Sequence, residues 1–151
     1  MSKSLRKTTD SSRIGAGFGA RAASIAIVGG GASGVAVAVN LMRNATTPLS
    51  IRVLEPRGGL GLGVAYSAAF DSHLLNVPAG DMSVFHDVPA HFFKWLRGNG
   101  HPRAEPTSFV PRRSYGAYLQ SVPADALFQA RPELTFEHVR SLATRISKNQ
   151  G

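Results

Sequence analysis

The chain reads as an α/β domain built on a parallel sheet, and three observations predict it. A short β-branched run, Ser24 to Val28, leads straight into a glycine cluster. Ala32 to Asn44 has the small and aliphatic composition of a helix and stops at the breaker Thr46-Thr47-Pro48. A second strand-like run, Leu49 to Leu54, then ends on Glu55-Pro56. Two strands joined by a helix pair in parallel, with a crossover that is almost always right-handed.

The remaining elements follow in order. Ser24 to Val28 is apolar enough to be expected buried on both faces of the sheet. Arg57 to Ser67 is a loop rich in glycine, and His73 to Gly80 continues as irregular chain. Asp87 with Pro89 predicts a helix start, with Phe92, Phe93, Trp95 and Leu96 on its apolar side and Gly98 as its stop. Pro111 opens a further helix, Ser114 to Ser121, carrying Tyr115, Tyr118 and Leu119. The helical segment 87–121 is thus an insertion packed to one side of the sheet. Leu134 to Val139 alternates like a strand, and Leu142 to Ile146 is expected to add another. The final Ser-Lys-Asn-Gln-Gly reads as a turn between strands, so the sheet is expected to be incomplete at the C-terminus.

Composition narrows the class. A 151-residue chain with 43% hydrophobic residues has room for one globular domain. The absence of cysteine removes disulfides, thiolate metal sites and a cysteine nucleophile. No apolar stretch is long enough to span a bilayer, and the expected location is cytoplasmic. The net charge of +8 is split. Residues 1–23 carry Lys3, Arg6, Lys7, Arg13 and Arg21 against Asp10 alone and read as a disordered basic tail, with an Arg- and Ser-rich transit-type leader as the alternative. The other basic residues are scattered along 24–151, so no basic face is evident and no nucleic-acid partner is expected.

The chemistry sits in the glycine cluster. Gly29-x-Gly31-x-x-Gly34 follows a strand and opens a helix, the context that distinguishes a dinucleotide fingerprint from a chance pattern. Gly29 makes the tight turn, Gly31 lets the backbone approach a pyrophosphate, and Gly34 lets the helix pack on the sheet. The phosphates would rest on free N–H groups at the positive end of the helix dipole, contributed by the Gly29, Gly30, Gly31, Ala32, Ser33 and Gly34 turn. Glu55 ends the second strand about 20 residues beyond Gly34, the spacing of a carboxylate that accepts ribose hydroxyls. Such a carboxylate repels a 2′-phosphate, which favours FAD or NAD over NADP. The fingerprint alone does not choose between those two.

Further segments carry a resemblance. Ile25 to Gly34, Gly61-Leu-Gly-Val-Ala-Tyr-Ser67, His73-Leu-Leu-Asn-Val-Pro-Ala-Gly80, His91-Phe-Phe-Lys-Trp-Leu96 and Phe109-Val-Pro-Arg112 with Tyr115-Gly-Ala-Tyr-Leu119 occur in order across roughly residues 24–146. In these the chain resembles a bacterial family of Rossmann-like FAD/NAD(P)-binding proteins, distantly similar to flavin-dependent N-hydroxylating monooxygenases. The resemblance implies that residues 24–151 are the N-terminal part of a longer FAD/NAD(P)-binding domain, with FAD as cofactor and NAD(P)H as reductant in the full-length members. It implies pyrophosphate contacts at Gly29, Gly31, Ser33 and Gly34 and a ribose contact at Glu55. On physical grounds the Gly61 to Ser67 loop, Gly63 included, is expected to line the flavin side with backbone N–H groups, and Asn76 to bond the isoalloxazine edge. Arg112 is placed to reach a phosphate or a carboxylate, or else makes a surface salt bridge. The strand near Leu142 to Thr144 would offer backbone groups to adenine. Where the family has a basic residue after Pro-Ala-Gly, this chain has Asp81.

Other signals point nowhere specific. The five histidines show no metal-ligand spacing, so no metal is expected, and Ser33 lacks the flanking pattern of a nucleophile elbow. No catalytic acid or base is identified, which matters less where a cofactor does the hard chemistry. The expected partner is a small-molecule dinucleotide; oligomeric state is undetermined. The functional reading is the FAD-binding portion of an NAD(P)H-using oxidoreductase, and the alternative is a dinucleotide-binding module without turnover of its own.

Overall fold

The computed structural model describes residues 23–67 and 70–148. The described elements are β1 (Ala23–Val28), α1 (Ala32–Asn44), β2 (Leu49–Leu54), a 3-10 turn (Ala79–Asp81), α2 (His91–Gly98), α3 (Arg112–Gln129) and β3 (Leu134–Val139). The basic tail and the last residues of the C-terminal turn lie outside the described residues.

The strands form a parallel sheet in the order β1-β2-β3, with Ile25 opposite Ile51 and Ile51 opposite Phe136. The sheet turns one face to the helices. Leu49, Ile51, Val53 and Leu134 are buried there, and Ile25, Ile27 and Phe136 pack against the same core. α1 packs on β1 and β2 and also on α3, which in turn carries α2. The opposite face is open. Ala26 and Val28 are exposed on it, and Arg52 reaches across to Glu137 at 3.0 Å. The expected burial of Ser24 to Val28 on both faces therefore does not hold. Among the described residues helices cover one face only, and β1 stands at the edge with a single neighbouring strand.

Three boundaries differ from expectation. α2 starts at His91 rather than near Asp87. The Asp87 carboxylate is instead taken by a fork of two hydrogen bonds from Arg43, at 3.0 and 2.7 Å, whose guanidinium lies 4.2 Å over the Phe85 ring. α3 runs on past Ser121 to Gln129, through Pro123. A proline inside a helix costs about 3 kcal/mol. Here Val122, Pro123 and Ala126 are buried against the core, and burial at about 1.5–3 kcal/mol for a valine-sized side chain offsets that cost. Leu142 to Ile146 forms no strand; Ser141 N–H turns back to the Val139 carbonyl at 2.8 Å, and Leu142 and Ile146 stay exposed.

The helical layer is held by aromatic side chains. Phe92 on α2 meets Tyr115 on α3 edge to face at 4.9 Å and Tyr118 at 5.0 Å, and all three are buried. The Tyr118 hydroxyl is satisfied at 2.8 Å by Nδ1 of His91.

Candidate functional site

The strand-to-helix turn is built from glycines that have no room for side chains. Gly29 adopts φ +96°, a left-handed conformation that glycine enters without strain, while its N–H still bonds the Leu54 carbonyl at 2.9 Å. A Cβ on Gly34 would run into the Gly29 carbonyl oxygen. A Cβ on Gly30 would lie 2.5 Å from Leu60 Cδ2 and 2.7 Å from Glu55 Cβ. Gly31 differs, for its nearest neighbour would be the Gly63 Cα at an ordinary 3.6 Å. Two glycine backbones thus face each other with space between them.

The first helical bond of α1 runs from Val35 N–H to the Gly31 carbonyl at 3.0 Å. α1 has no side-chain cap and no acid in its first turn. The N–H groups of Ala32, Ser33 and Gly34 therefore remain as donors at the positive end of a 13-residue helix, an environment suited to a phosphate. Ser33 is exposed beside them.

Glu55 sits directly beneath the turn. It is only 8% exposed, so its charge must be satisfied internally. Oε2 accepts the Gly30 N–H at 3.0 Å and Oε1 accepts the Arg57 N–H at 3.1 Å. The Arg57 bond first, then the Gly30 bond, holds the carboxyl below the ordinary carboxylate range. The backbone is clamped as well, with Glu55 N–H on the Val139 carbonyl at 3.1 Å and the Glu55 carbonyl on Nε2 of His138 at 2.9 Å. Each carboxylate oxygen keeps a second lone pair for an incoming hydroxyl.

The Gly61–Ser67 loop closes the other side. Gly61 N–H donates to the Gly30 carbonyl at 2.7 Å, and Gly61 and Gly63 both have positive φ. Between turn and loop lies a groove of about 540 Å³, walled by Gly29, Gly31, Ser33, Gly34 and Gly63 among others. It shares Val64 and Ala65 with a neighbouring cavity of about 730 Å³, whose far wall is Ser72, His73, Leu74 and Arg112. Arg112 is rooted there by its N–H on the His73 carbonyl (2.8 Å) and its Nε on the Leu74 carbonyl (3.2 Å). Its side chain makes no salt bridge among the described residues.

Gly29, Gly31, Ala32, Ser33, Gly34 and Gly63 thus line one groove, and Arg112 lines the cavity beyond it, whereas Gly30 is buried against Leu60 and Glu55 and, like Glu55, lines neither. Asn76 is not brought to the groove. The residue is exposed, next to the buried Leu75, and lines neither cavity. Leu142 to Thr144 is irregular chain, so no strand there meets an adenine.

Sequence reasoning did not anticipate Gly116. A Cβ there would meet the Tyr66 carbonyl oxygen at 2.7 Å, so this glycine lets the loop lie on α3. No local spacing marks it, because the contact is made by tertiary packing. The role of His138 was equally invisible, since its partner is the carbonyl of Glu55 on a neighbouring strand.

A parallel sheet whose first strand enters a glycine turn and a helix, with an acid closing the second strand, defines a dinucleotide-binding domain of Rossmann-like architecture. The FAD-NAD(P)-binding family model matches residues 26–151, and the chain belongs to that family. No curated protein matches the chain. Among the described residues no cluster of three or more His, Asp or Glu side chains is placed to hold a metal, and no helix is long and apolar enough to cross a membrane.

Proposed function

We propose that the chain is the FAD-binding portion of an oxidoreductase that takes its electrons from NAD(P)H. The observation that carries this reading is the continuity of the groove. It runs along the glycine turn, which Glu55 braces through Gly30, to the Val64–Ala65 wall, beyond which a second cavity opens. That is the layout an extended dinucleotide with a bulky second head needs.

The chain's residues divide the work. Glu55 accepts the ribose hydroxyls with its remaining lone pairs. The Ala32, Ser33 and Gly34 N–H groups and the dipole of α1 hold the pyrophosphate. Gly31 and Gly63 keep both walls low enough for the phosphates to enter. Val64 and Ala65 border the redox end. A bound flavin would supply the hydride and electron transfer that protein side chains lack.

The test is the visible absorption of the purified chain after incubation with FAD and desalting. Retained flavin bands that disappear in Gly31→Ala support the reading. A folded, colourless protein that instead binds NAD on titration would refute it in favour of a dinucleotide module without flavin chemistry.

A further inference from the structure

We propose that the cavity between the Val64–Ala65 wall and Arg112 is a subsite for an organic carboxylate, the anionic end of the substrate that meets the cofactor. The position assigned to the substrate rests on the proposed flavin reading; the anion specificity rests on the cavity itself.

Among the described residues Arg112 is the one permanently charged side chain lining this cavity, and no acidic residue lines it. Arg43 pairs with Asp87, Arg52 with Glu137, Arg113 with Asp71 and Arg131 with Glu133; of the arginines that make no salt bridge among the described residues (Arg57, Arg97, Arg103, Arg112, Arg140 and Arg145), Arg112 is the one that lines this cavity. Asp71, the acid nearest in sequence to the cavity wall, is therefore engaged by the neighbouring arginine. The Leu74 carbonyl takes only the Nε hydrogen of Arg112. The two terminal nitrogens have no carboxylate partner among the described residues and form the planar fork that matches a carboxylate. Ser72 and His73 line the same cavity and carry potential donors.

The other walls specify the body of the ligand. Val64 is 86% exposed and Leu74 49% exposed, and both line the cavity. Apolar side chains left this open beside a guanidinium suit a molecule with an apolar body and an anionic end. The cavity is also at the correct end of the groove. Glu55 and the turn serve the adenosine side, so Val64 and Ala65, shared by both cavities, border the reactive head and the subsite together.

The experiment is calorimetric titration of the full chain with benzoate and with its neutral analogue benzamide, each with and without FAD. Arg112→Gln and Arg112→Lys are compared with Arg97→Gln on α2, a control remote from the groove. Benzoate is expected to bind about tenfold or more tightly than benzamide, and Arg112→Gln to remove that preference. Arg112→Lys, with charge but no fork, should fall between. FAD affinity, read by flavin fluorescence, should be unchanged in all three variants. Equal binding of benzoate and benzamide, absence of benzoate binding, or equal weakening by Arg97→Gln would overturn the proposal. So would loss of FAD by Arg112→Gln with benzoate unaffected, since the guanidinium would then serve the cofactor. Arg112-dependent benzoate binding in a chain that takes up no FAD would support the anion subsite and refute the flavin reading instead.

Discussion

Gly31 and Gly34 stand three residues apart in one motif, yet they are constrained by different things. A Cβ on Gly34 collides with the Gly29 carbonyl, whereas one on Gly31 makes ordinary contact with Gly63. Gly34→Ala should therefore lower the thermal midpoint of the chain. Gly31→Ala should leave that midpoint nearly unchanged and weaken dinucleotide binding alone, because the space it fills is the ligand's. Thermal unfolding combined with FAD titration separates the two, and equal loss of stability would refute the distinction. Glu55 supplies a pH test. Its carboxyl is depressed by the Arg57 and Gly30 N–H bonds, so its contribution is fully present above the unfolded value, about pH 4.3. That contribution is lost as the pH falls through the lower folded value. As the pH falls below about 4.3 the midpoint of Glu55→Gln should fall less steeply than that of the wild type. At this scale the glycines and Glu55 were legible because a strand, turn and helix fix their positions locally. Asn76 was not, because which side of an irregular segment faces a groove is decided by distant packing.

Element boundaries follow the same division. α1, β2 and β3 have the limits their patterns imply, each bounded by strong local signals such as Thr46-Thr47-Pro48. α3 overruns its expected end because Val122, Pro123 and Ala126 are buried. The junction of α2 and α3 is where the helical layer is most vulnerable. Phe92 is fully buried among Tyr115, Tyr118 and Trp95, so Phe92→Ala should cost about 3–5 kcal/mol. Tyr118→Phe removes only the hydroxyl that meets His91 Nδ1 and Val84 N–H, and should cost about 1–3 kcal/mol. Chemical denaturation of the two variants checks both values, and a Phe92→Ala loss smaller than that of Tyr118→Phe would contradict the packing argument.

On the scale of the molecule, the groove has two separable halves. Glu55 and the glycine turn should hold ADP without help from the far cavity, so Arg112→Gln should leave ADP affinity unaltered. Glu55→Gln should weaken it, since the variant loses charge at the ribose and one acceptor at the turn. Calorimetry with ADP tests both, and an ADP site dependent on Arg112 would mean that the halves are not ordered as proposed. The sequence by itself determined the parallel α/β plan, the strand–glycine turn–helix unit and its acid, because those depend on residues within one crossover of each other. Only the tertiary structure decided which face of the sheet is covered, that Glu55 braces Gly30 as well as closing β2, and that Arg112 stands beyond Val64 and Ala65. Those facts depend on how α3 and the Gly61–Ser67 loop pack against the turn, and contacts between segments so far apart leave no periodicity in the chain.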